Sequence, residues 1–312
     1  MISLQEKGSI SAKQRVSGKE GKNFTVGRLK KKKAGRQRLM RAVIQVIFFI
    51  SMPSAFVAGF SGVKYIFNQI GSGNVLEVNG FLITLIGLGI FTILFGRYFC
   101  GYVCAFGTLG DFVYWISGLV QTKLFKNRKQ FSLPEACVPI CQKIKYVIWA
   151  LIVIFCTLGV YEKFSGTSPW DVFSRLTAGR LNLQGYTAGV VIFVVILAGM
   201  ALQERFFCQF LCPMGAVFAV LPILPVSVLK RNEAGCRKGC SLCRKKCPVH
   251  LKPEEDSLLS GECIRCGRCA VSCPGENIHL AGRLNGNEIW LVIIQAVIFF
   301  IMGTVLGLCR FM

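Results

Sequence analysis

Five apolar segments, each close in length to a bilayer-crossing helix, constrain this chain more than any other feature of its sequence. Backbone amides and carbonyls meet no water in the hydrocarbon core, so a helix must satisfy them there. Roughly 17 to 25 residues are enough for such a helix to cross. The sequence therefore predicts a mainly α-helical integral membrane protein with about five spans, at residues 42–60, 80–96, 146–160, 186–202 and 288–308.

The composition and the placement of charge support this fold class. The chain has 53% hydrophobic and 17% charged residues, whereas a soluble domain usually carries about 25% charged residues. Residues 1–41 hold thirteen Lys and Arg against two Glu, and basic segments stay in the cytoplasm. This basic run stops just before a span, which favours orientation and contact with anionic lipid over a nucleic-acid partner.

Two further apolar stretches leave the topology open. Residues 105–120 and 214–229 are either interfacial helices, re-entrant segments or two more spans. A span at 105–120 would place the basic loop 121–145 outside the cell, against the positive-inside rule. We therefore expect five spans in the cell membrane, with the amino terminus, this loop and the region after Lys230 in the cytoplasm.

An internal repeat relates the two halves of the membrane region. Residues 97–107 read RYFCGYVCAFG and residues 205–215 read RFFCQFLCPMG, so Arg, Phe, both Cys and Gly coincide. Each copy reads as span, external loop, span and cysteine pair, which makes a parallel repeat under the five-span topology. Pseudo-twofold packing would bring the two pairs together near the cytoplasmic face, at Cys100, Cys104, Cys208 and Cys212.

These C-x3-C pairs allow three interpretations. At i and i+4 on a helix, two thiols share one face, and four of them can hold an additional iron–sulfur centre or another soft metal such as copper. Alternatively they cycle as dithiols, or they are small apolar residues in helix packing. Their duplication with Arg and Gly at fixed offsets favours a metal or redox role.

Two further cysteine runs carry the most specific pattern in the chain. Residues 236–248 read C-x3-C-x2-C-x3-C-P and residues 263–274 read C-x2-C-x2-C-x3-C-P. In ferredoxins three cysteines of one run and the fourth of the other hold one [4Fe–4S] cluster. Zinc knuckles are the alternative, but zinc sites use well-separated C-x2-C pairs.

This rule assigns two clusters to a small α+β ferredoxin domain at residues 230–284. The first cluster is predicted on Cys236, Cys240, Cys243 and Cys273, and the second on Cys263, Cys266, Cys269 and Cys247. The lysines and arginines between these ligands either face an acidic electron donor or form an ordinary solvated surface.

The remaining cysteines and the histidines carry weaker signals. Cys137 and Cys141 form a third C-x3-C pair that is as readily structural as ligating, and Cys156 and Cys309 are expected to pack within spans. Both histidines, at positions 250 and 279, lie in or beside the cysteine cluster. A b-type haem in the membrane needs histidine ligands within the spans, so no haem is expected.

Two C-x3-C repeats followed by two ferredoxin runs resemble the polyferredoxin-type membrane 4Fe-4S protein family. The resemblance covers roughly residues 41–280. Members include membrane subunits of periplasmic nitrate reduction, the nitrous-oxide-reductase regulator and a cupric-reductase accessory protein. They typically carry C-x3-C-P twice; Cys212 and Pro213 fit this pattern, whereas Ala105 follows Cys104. The resemblance implies membrane electron transfer without fixing donor or acceptor.

We expect an electron-transfer component more than a self-contained enzyme. Its partners would be a cytoplasmic donor (ferredoxin, flavodoxin or reductase) and a membrane or extracytoplasmic redox partner, with quinone as one candidate. The alternatives are a quinol-oxidising subunit, a cupric reductase using the C-x3-C pairs, and a metal-dependent scaffold. The expected organisation is a basic tail (1–41), repeat one (42–120), a basic loop (121–145), repeat two (146–229), the ferredoxin domain (230–284) and a final helix (285–312).

Overall fold

The computed structural model describes residues 33–125, 137–224, 229–232, 234–236, 239–253, 261–280 and 288–309. Within these residues the chain is mainly helical. The first repeat comprises α1 (Lys33–Ser51), α2 (Ala55–Ser72), α3 (Gly80–Phe95), a π-helical turn (Phe99–Val103) and α4 (Ala105–Phe125). The second comprises α5 (Val138–Thr157), a 3-10 helix (Tyr161–Thr167), α6 (Pro169–Thr177), α7 (Thr187–Leu202), α8 (Phe206–Phe210) and α9 (Pro213–Val220).

The first predicted span is not one continuous helix. Residues 42–60 divide between α1 and α2, which meet at an angle of 62°. Pro53 lies at the break, and proline has no N–H to donate and a ring that clashes with the preceding turn. Met52 still donates its N–H to Phe48, so α1 ends only at the proline. The expectation of a single helix over this segment is therefore wrong.

Helix lengths support fewer membrane crossings than the hydropathy pattern predicts. Among the described residues, α5 alone is long and apolar enough to cross, and the bent α1–α2 pair adds a second crossing if it forms one broken span. Helices α3, α7 and α12 (Glu288–Val305) are apolar but shorter. The five-span count stays a prediction.

Helix α4 runs in the same direction as α7. Near the start of α4, the Phe106 ring lies 6.0 Å from the ring of Phe193, and one turn later Gly110 packs against Met200. The second contact lies closer than the first to the carboxyl end of both helices, so α4 and α7 are parallel and end on the same side.

The cysteine-rich region is closed by a two-stranded sheet. Strand β1 (Leu229–Arg231) pairs antiparallel with β2 (Ile278–Leu280), and Leu229 lies opposite Leu280. Between the strands lie two short helices in contact, α10 (Leu242–Lys245) and α11 (Arg268–Ser272). The strands therefore fix both ends of the segment that carries the eight ferredoxin-type cysteines.

An aromatic core joins the two repeats. The rings of Phe106 and Phe207, which belong to opposite repeats, stack with centroids 4.2 Å apart. Phe56 of α2 contacts both of them. All three side chains are buried, and aromatic pairs of this kind contribute beyond their buried area. The repeats thus pack around the segments that carry the C-x3-C pairs.

A partly buried carboxylate ties three parts of this core together. Asp111 of α4 accepts from Arg41 of α1 (2.7 Å) and from Arg205 just before α8 (2.6 Å). Gln45 donates to the same oxygen at 2.8 Å. The two arginines are 5% and 1% exposed, so the carboxylate neutralises charge that water cannot reach.

We expect Asp111→Asn to destabilise the protein by about 3 kcal/mol, because it leaves two buried guanidinium groups without their counter-charge. Thermal unfolding of the detergent-purified protein measures the loss. The matched control is Glu276→Gln, which removes an exposed ion pair with Lys33 at 3.2 Å and should change stability by less than about 0.5 kcal/mol. Equal losses in both variants would contradict the role of Asp111.

Candidate metal centres

The structure brings the two C-x3-C pairs together. Cys212 lies close to Cys208, Cys100 and Cys104, and Cys104 lies close to Cys208 and Cys100. All four residues are buried, between 6% and 7% exposed. The pseudo-twofold packing of the repeats thus creates a set of four thiols shielded from water, which we call the four-thiol site.

Neither pair lies on one continuous helical face, so that expectation is wrong. Cys100 and Cys208 belong to the π-helical turn and to α8, whereas Cys104 and Cys212 lie just before α4 and α9. The latter two have extended backbones, with ψ of 118° and 111°. Pro213 imposes such a conformation on the residue before it, and α4 begins in the same way.

The exchange of proline for alanine between the copies leaves this geometry unchanged. Ala105 and Pro213 each occupy the first position of a helix, where a proline N–H would have no helical partner. Both following glycines supply a backbone N–H to the sulfur: Gly215 donates to Cys212 at 3.2 Å, and Gly107 donates likewise to Cys104. Donors of this kind stabilise thiolates.

Two buried arginines cross between the repeats at this site. Arg97 lies beside Cys100 and Cys212. Arg205 donates to the backbone oxygen of Cys100 at 2.7 Å and lies 3.8 Å from the sulfur of Cys208. Each arginine therefore contacts its own repeat and the opposite one, and both place positive charge where thiolates would carry negative charge.

The repeated glycines make room for these arginines. A Cβ added at Gly215 would lie 2.9 Å from Nη2 of Arg97, and a Cβ at Gly107 would meet Nη1 of Arg205. The glycine of each repeat thus faces the arginine of the other. The sequence showed this pair of residue types at a fixed offset, but it gave no sign that the contact crosses between copies.

Each crossed arginine has its own partly buried carboxylate. Arg205 pairs with Asp111, while Arg97 donates to Glu262 at 3.1 Å. Glu262 also accepts from Lys145, which is fully buried, and from Tyr146 at 2.7 Å. Burial alone would raise the pKa of the Glu262 carboxyl, but Arg97 and Lys145 outweigh it and lower that pKa.

The position of the second repeat that corresponds to Asp111 is Ala219. There the backbone of Gly261 packs directly against the backbone of Ala219. The small side chain admits the loop 261–267, and the next residue of that loop, Glu262, provides the missing carboxylate. The roles of both acids were not predicted from the sequence. The available signal was that Asp111 has an alanine, Ala219, at the equivalent position 108 residues later in the second repeat.

The second predicted ferredoxin set is also assembled. Cys269 lies near Cys266, Cys263 and Cys247, and all four line one small cavity, closed by apolar residues such as Leu229. Burial and the neighbouring Cys266 raise the pKa of the Cys247 thiol to about 12. Metal binding would therefore have to displace a proton from it at neutral pH.

The other predicted set is more open. Asn277 joins its two ends, because its N–H donates to the sulfur of Cys273 at 3.4 Å and its side chain donates to Gly235 at 2.5 Å. Cys236 accepts from Arg231 at 3.4 Å. Cys240 is exposed and Cys243 partly buried, while residues 237–238 lie outside the described residues.

The cavity set and the four-thiol site lie against each other. The loop 261–267 covers the π-helical turn: Gly101 packs against the backbone oxygen of Ile264, and Tyr102 donates to the backbone oxygen of Cys266 at 3.5 Å. Gln37 of α1 donates to the same oxygen at 3.0 Å. The segments that carry the two candidate centres are thus in direct contact.

The remaining candidates lie elsewhere. Cys137 is exposed and Cys141 partly buried at the start of α5, while Cys156 is buried and Cys309 partly buried. His250 bonds to Gln209 through Nδ1 at 3.0 Å.

In the ranges that the structure describes, no three His, Cys, Asp or Glu side chains are arranged to hold a single metal ion. The thiolates that hold an iron–sulfur cluster lie farther apart than the ligands of a single ion, because each thiolate binds a different iron.

Comparison with known proteins now gives these thiols a context. The family described as a 4Fe-4S binding domain matches residues 80–125 and 187–227, which contain the two C-x3-C pairs. An uncharacterized protein of Methanocaldococcus jannaschii is 30% identical over 238 residues, covering 76% of this chain and 84% of the relative. No solved structure matches the chain.

Two further relatives carry names. Protein NirI of Paracoccus denitrificans is 28% identical over 241 residues, covering 75% of this chain and 32% of the relative. The ferredoxin-type protein NapH of Haemophilus influenzae is 27% identical over 218 residues, covering 65% and 70%. Fold, thiols and relatives together define a membrane iron–sulfur protein. The chain belongs to the polyferredoxin-type membrane 4Fe-4S protein family.

We expect Gly107→Ala to displace the guanidinium of Arg205, because the added methyl group occupies its place. The cost should be about 2 kcal/mol of stability, measured by thermal unfolding of the detergent-purified protein. In the control Gly89→Ala, the new Cβ has no neighbour within 4 Å; alanine should stabilise that helix by about 0.5–1 kcal/mol. Unchanged thermal stability of Gly107→Ala would contradict the crossed contact.

Proposed function

We propose that the protein is a membrane-bound iron–sulfur electron-transfer component, which passes electrons between a cytoplasmic donor and a membrane or extracytoplasmic partner. The observation that carries this proposal is the direct contact between the loop 261–267 and the π-helical turn, which juxtaposes two sets of four thiols, all buried except the partly buried Cys247. The naming of the relative NapH as a ferredoxin-type protein supports it. An iron–sulfur cluster, when bound, supplies one-electron redox chemistry at each set.

The donor sets fit this cofactor class. Both buried sets contain four cysteines, and neither contains a histidine or carboxylate among its members. One set lines a closed apolar cavity. The other receives two backbone N–H donors and two guanidinium groups, which suit an anionic thiolate centre. We propose two clusters on the ferredoxin-type cysteines, in the grouping predicted from their order, and a third centre at the four-thiol site.

The chain's own residues hold these sites in place and exclude water. Arg97 connects the four-thiol site to Glu262, the residue immediately before Cys263. Arg268 of α11 pairs with Glu204 at 2.5 Å, so a second ion pair holds the ferredoxin domain on the membrane repeats. These contacts fix the distance between the centres, on which the rate of electron transfer depends.

The membrane arrangement that accompanies this function has five spans. The bent α1–α2 pair, α3, α5, α7 and α12 are the proposed crossings, and the ferredoxin domain lies on the cytoplasmic side. Support comes from the basic residues of the amino-terminal region and of the loop after α4. The domain boundaries that we propose are those predicted from the sequence: two membrane repeats, the ferredoxin domain and a final helix.

Iron and acid-labile sulfide analysis of anaerobically purified protein tests the number of centres. We expect about twelve irons per chain, because three cubane clusters hold four each. Cys208→Ser/Cys212→Ser should lower the content to about eight and leave the EPR signals of the ferredoxin clusters intact. The matched control, Cys156→Ser/Cys309→Ser, should keep the full content. About eight irons in the unmodified protein would rule out the third centre.

Electron flow in reconstituted vesicles tests the function itself. With a low-potential donor outside, on the ferredoxin side, and an impermeant acceptor inside, we expect reduction of the acceptor. Cys208→Ser/Cys212→Ser should abolish this flow while the ferredoxin clusters are still reduced. Protein with intact clusters that supports no flow with any such donor would refute the proposal.

A further inference from the structure

A large cavity separates the ferredoxin domain from the membrane helices. Its volume is about 1510 Å³, and its walls come from α1, α4, the start of α5, the segment before α8, α10 and α11. It adjoins Cys247 on one side but is distinct from the small cavity that the cysteine set lines. Neither the candidate metal centres nor the proposed electron path uses this space.

The lining of the cavity is strongly basic. Seven Lys and Arg and three Asp and Glu line it. Each of the three carboxylates already has a cationic partner: Asp111 pairs with Arg41 and Arg205, Glu204 with Arg268, and Glu262 with Arg97 and Lys145. Arg38, Lys245 and Lys246 take part in none of these ion pairs, so their positive charge favours an anionic ligand.

The outer rim of the same cavity is apolar and exposed. Val46 of α1 and Phe112 and Trp115 of α4 are 53%, 55% and 58% exposed. The rings of Phe112 and Trp115 stack with centroids 6.2 Å apart. Tryptophan is typical of the headgroup level of a bilayer, so this apolar rim suits contact with lipid.

A buried hydrogen-bond donor also lines the cavity. Gln203, between α7 and α8, is only 4% exposed. Its side-chain nitrogen Nε2 has no hydrogen-bond partner among the residues that the structure describes. An unpaired buried donor is unfavourable, and a ligand oxygen within the cavity would satisfy it.

We propose that this cavity binds the headgroup of an anionic phospholipid, with its acyl chains over the rim formed by Val46, Phe112 and Trp115. The phosphate would accept from Gln203 and from the basic wall, as in other basic pockets at the cytoplasmic face of membrane proteins. A neutral ring such as a quinone would match the rim but would leave the excess positive charge uncompensated. The bound lipid would thus lie between the membrane helices and the ferredoxin domain.

Spin-labelled lipids test this proposal with the full-length, iron-loaded protein in neutral detergent. We expect spin-labelled phosphatidylglycerol to be immobilised at least about tenfold more tightly than spin-labelled phosphatidylcholine. Arg38→Gln/Lys245→Gln should weaken phosphatidylglycerol binding about thirtyfold, since each basic residue contributes about 1 kcal/mol. Gln203→Leu, which keeps every charge, should weaken it about fivefold.

Arg36→Gln/Lys230→Gln is the matched control, because both residues are exposed and neither lines the cavity. This variant should bind phosphatidylglycerol as the unmodified protein does. Equal immobilisation of both lipids, an equal loss in the control, or displacement of the label by a short-chain quinone analogue would overturn the proposal. Iron content measured on the same samples separates failure of the lipid site from failure of the metal centres.

Discussion

The structure depends on compensating negative charge where water is excluded. Four thiols at the contact between the repeats are buried, and anionic ligands in such a place need cations and N–H donors close by. Arg97 and Arg205 provide the cations, and the glycines after each cysteine pair provide the donors. Buried guanidinium groups in turn need carboxylates. The ion pairs of Asp111 and Glu262 follow from this requirement and hold α1, α4, α5 and the ferredoxin loop in place.

Much of this arrangement could be predicted from residue order alone. The C-x3-C pairs and the ferredoxin runs have spacings that few other structures use, and duplication placed the pairs on equivalent elements. Membership of the polyferredoxin-type family agrees with that reading. The assembly of Cys247 with the cysteines of the second run likewise follows the order of ligands in ferredoxins, although its role as a ligand remains our proposal.

Other features depend on contacts between distant residues, which a single sequence does not reveal. Hydropathy made residues 42–60 one apolar segment, yet one proline divides it into two helices. The i, i+4 spacing suggested one helical face, but the helix ends inside each pair. Arg97 and Arg205 could be interfacial anchors on sequence grounds; only their contacts across the repeat show why arginine and glycine recur together.

The replacement of Asp111 by Ala219 in the second copy makes the duplication functionally unequal. In two identical copies each repeat would carry its own acid, and the space beside each would be filled by that side chain. The alanine leaves space beside the second copy, and Glu262 on the loop before Cys263 provides the carboxylate that this copy lacks. The loop before Cys263 therefore packs against the second copy at Ala219, while its carboxylate reaches Arg97 of the first copy. The two arginines thus obtain their acids from different sources, one from within the membrane repeats and one from the segment that carries the ferredoxin-type cysteines.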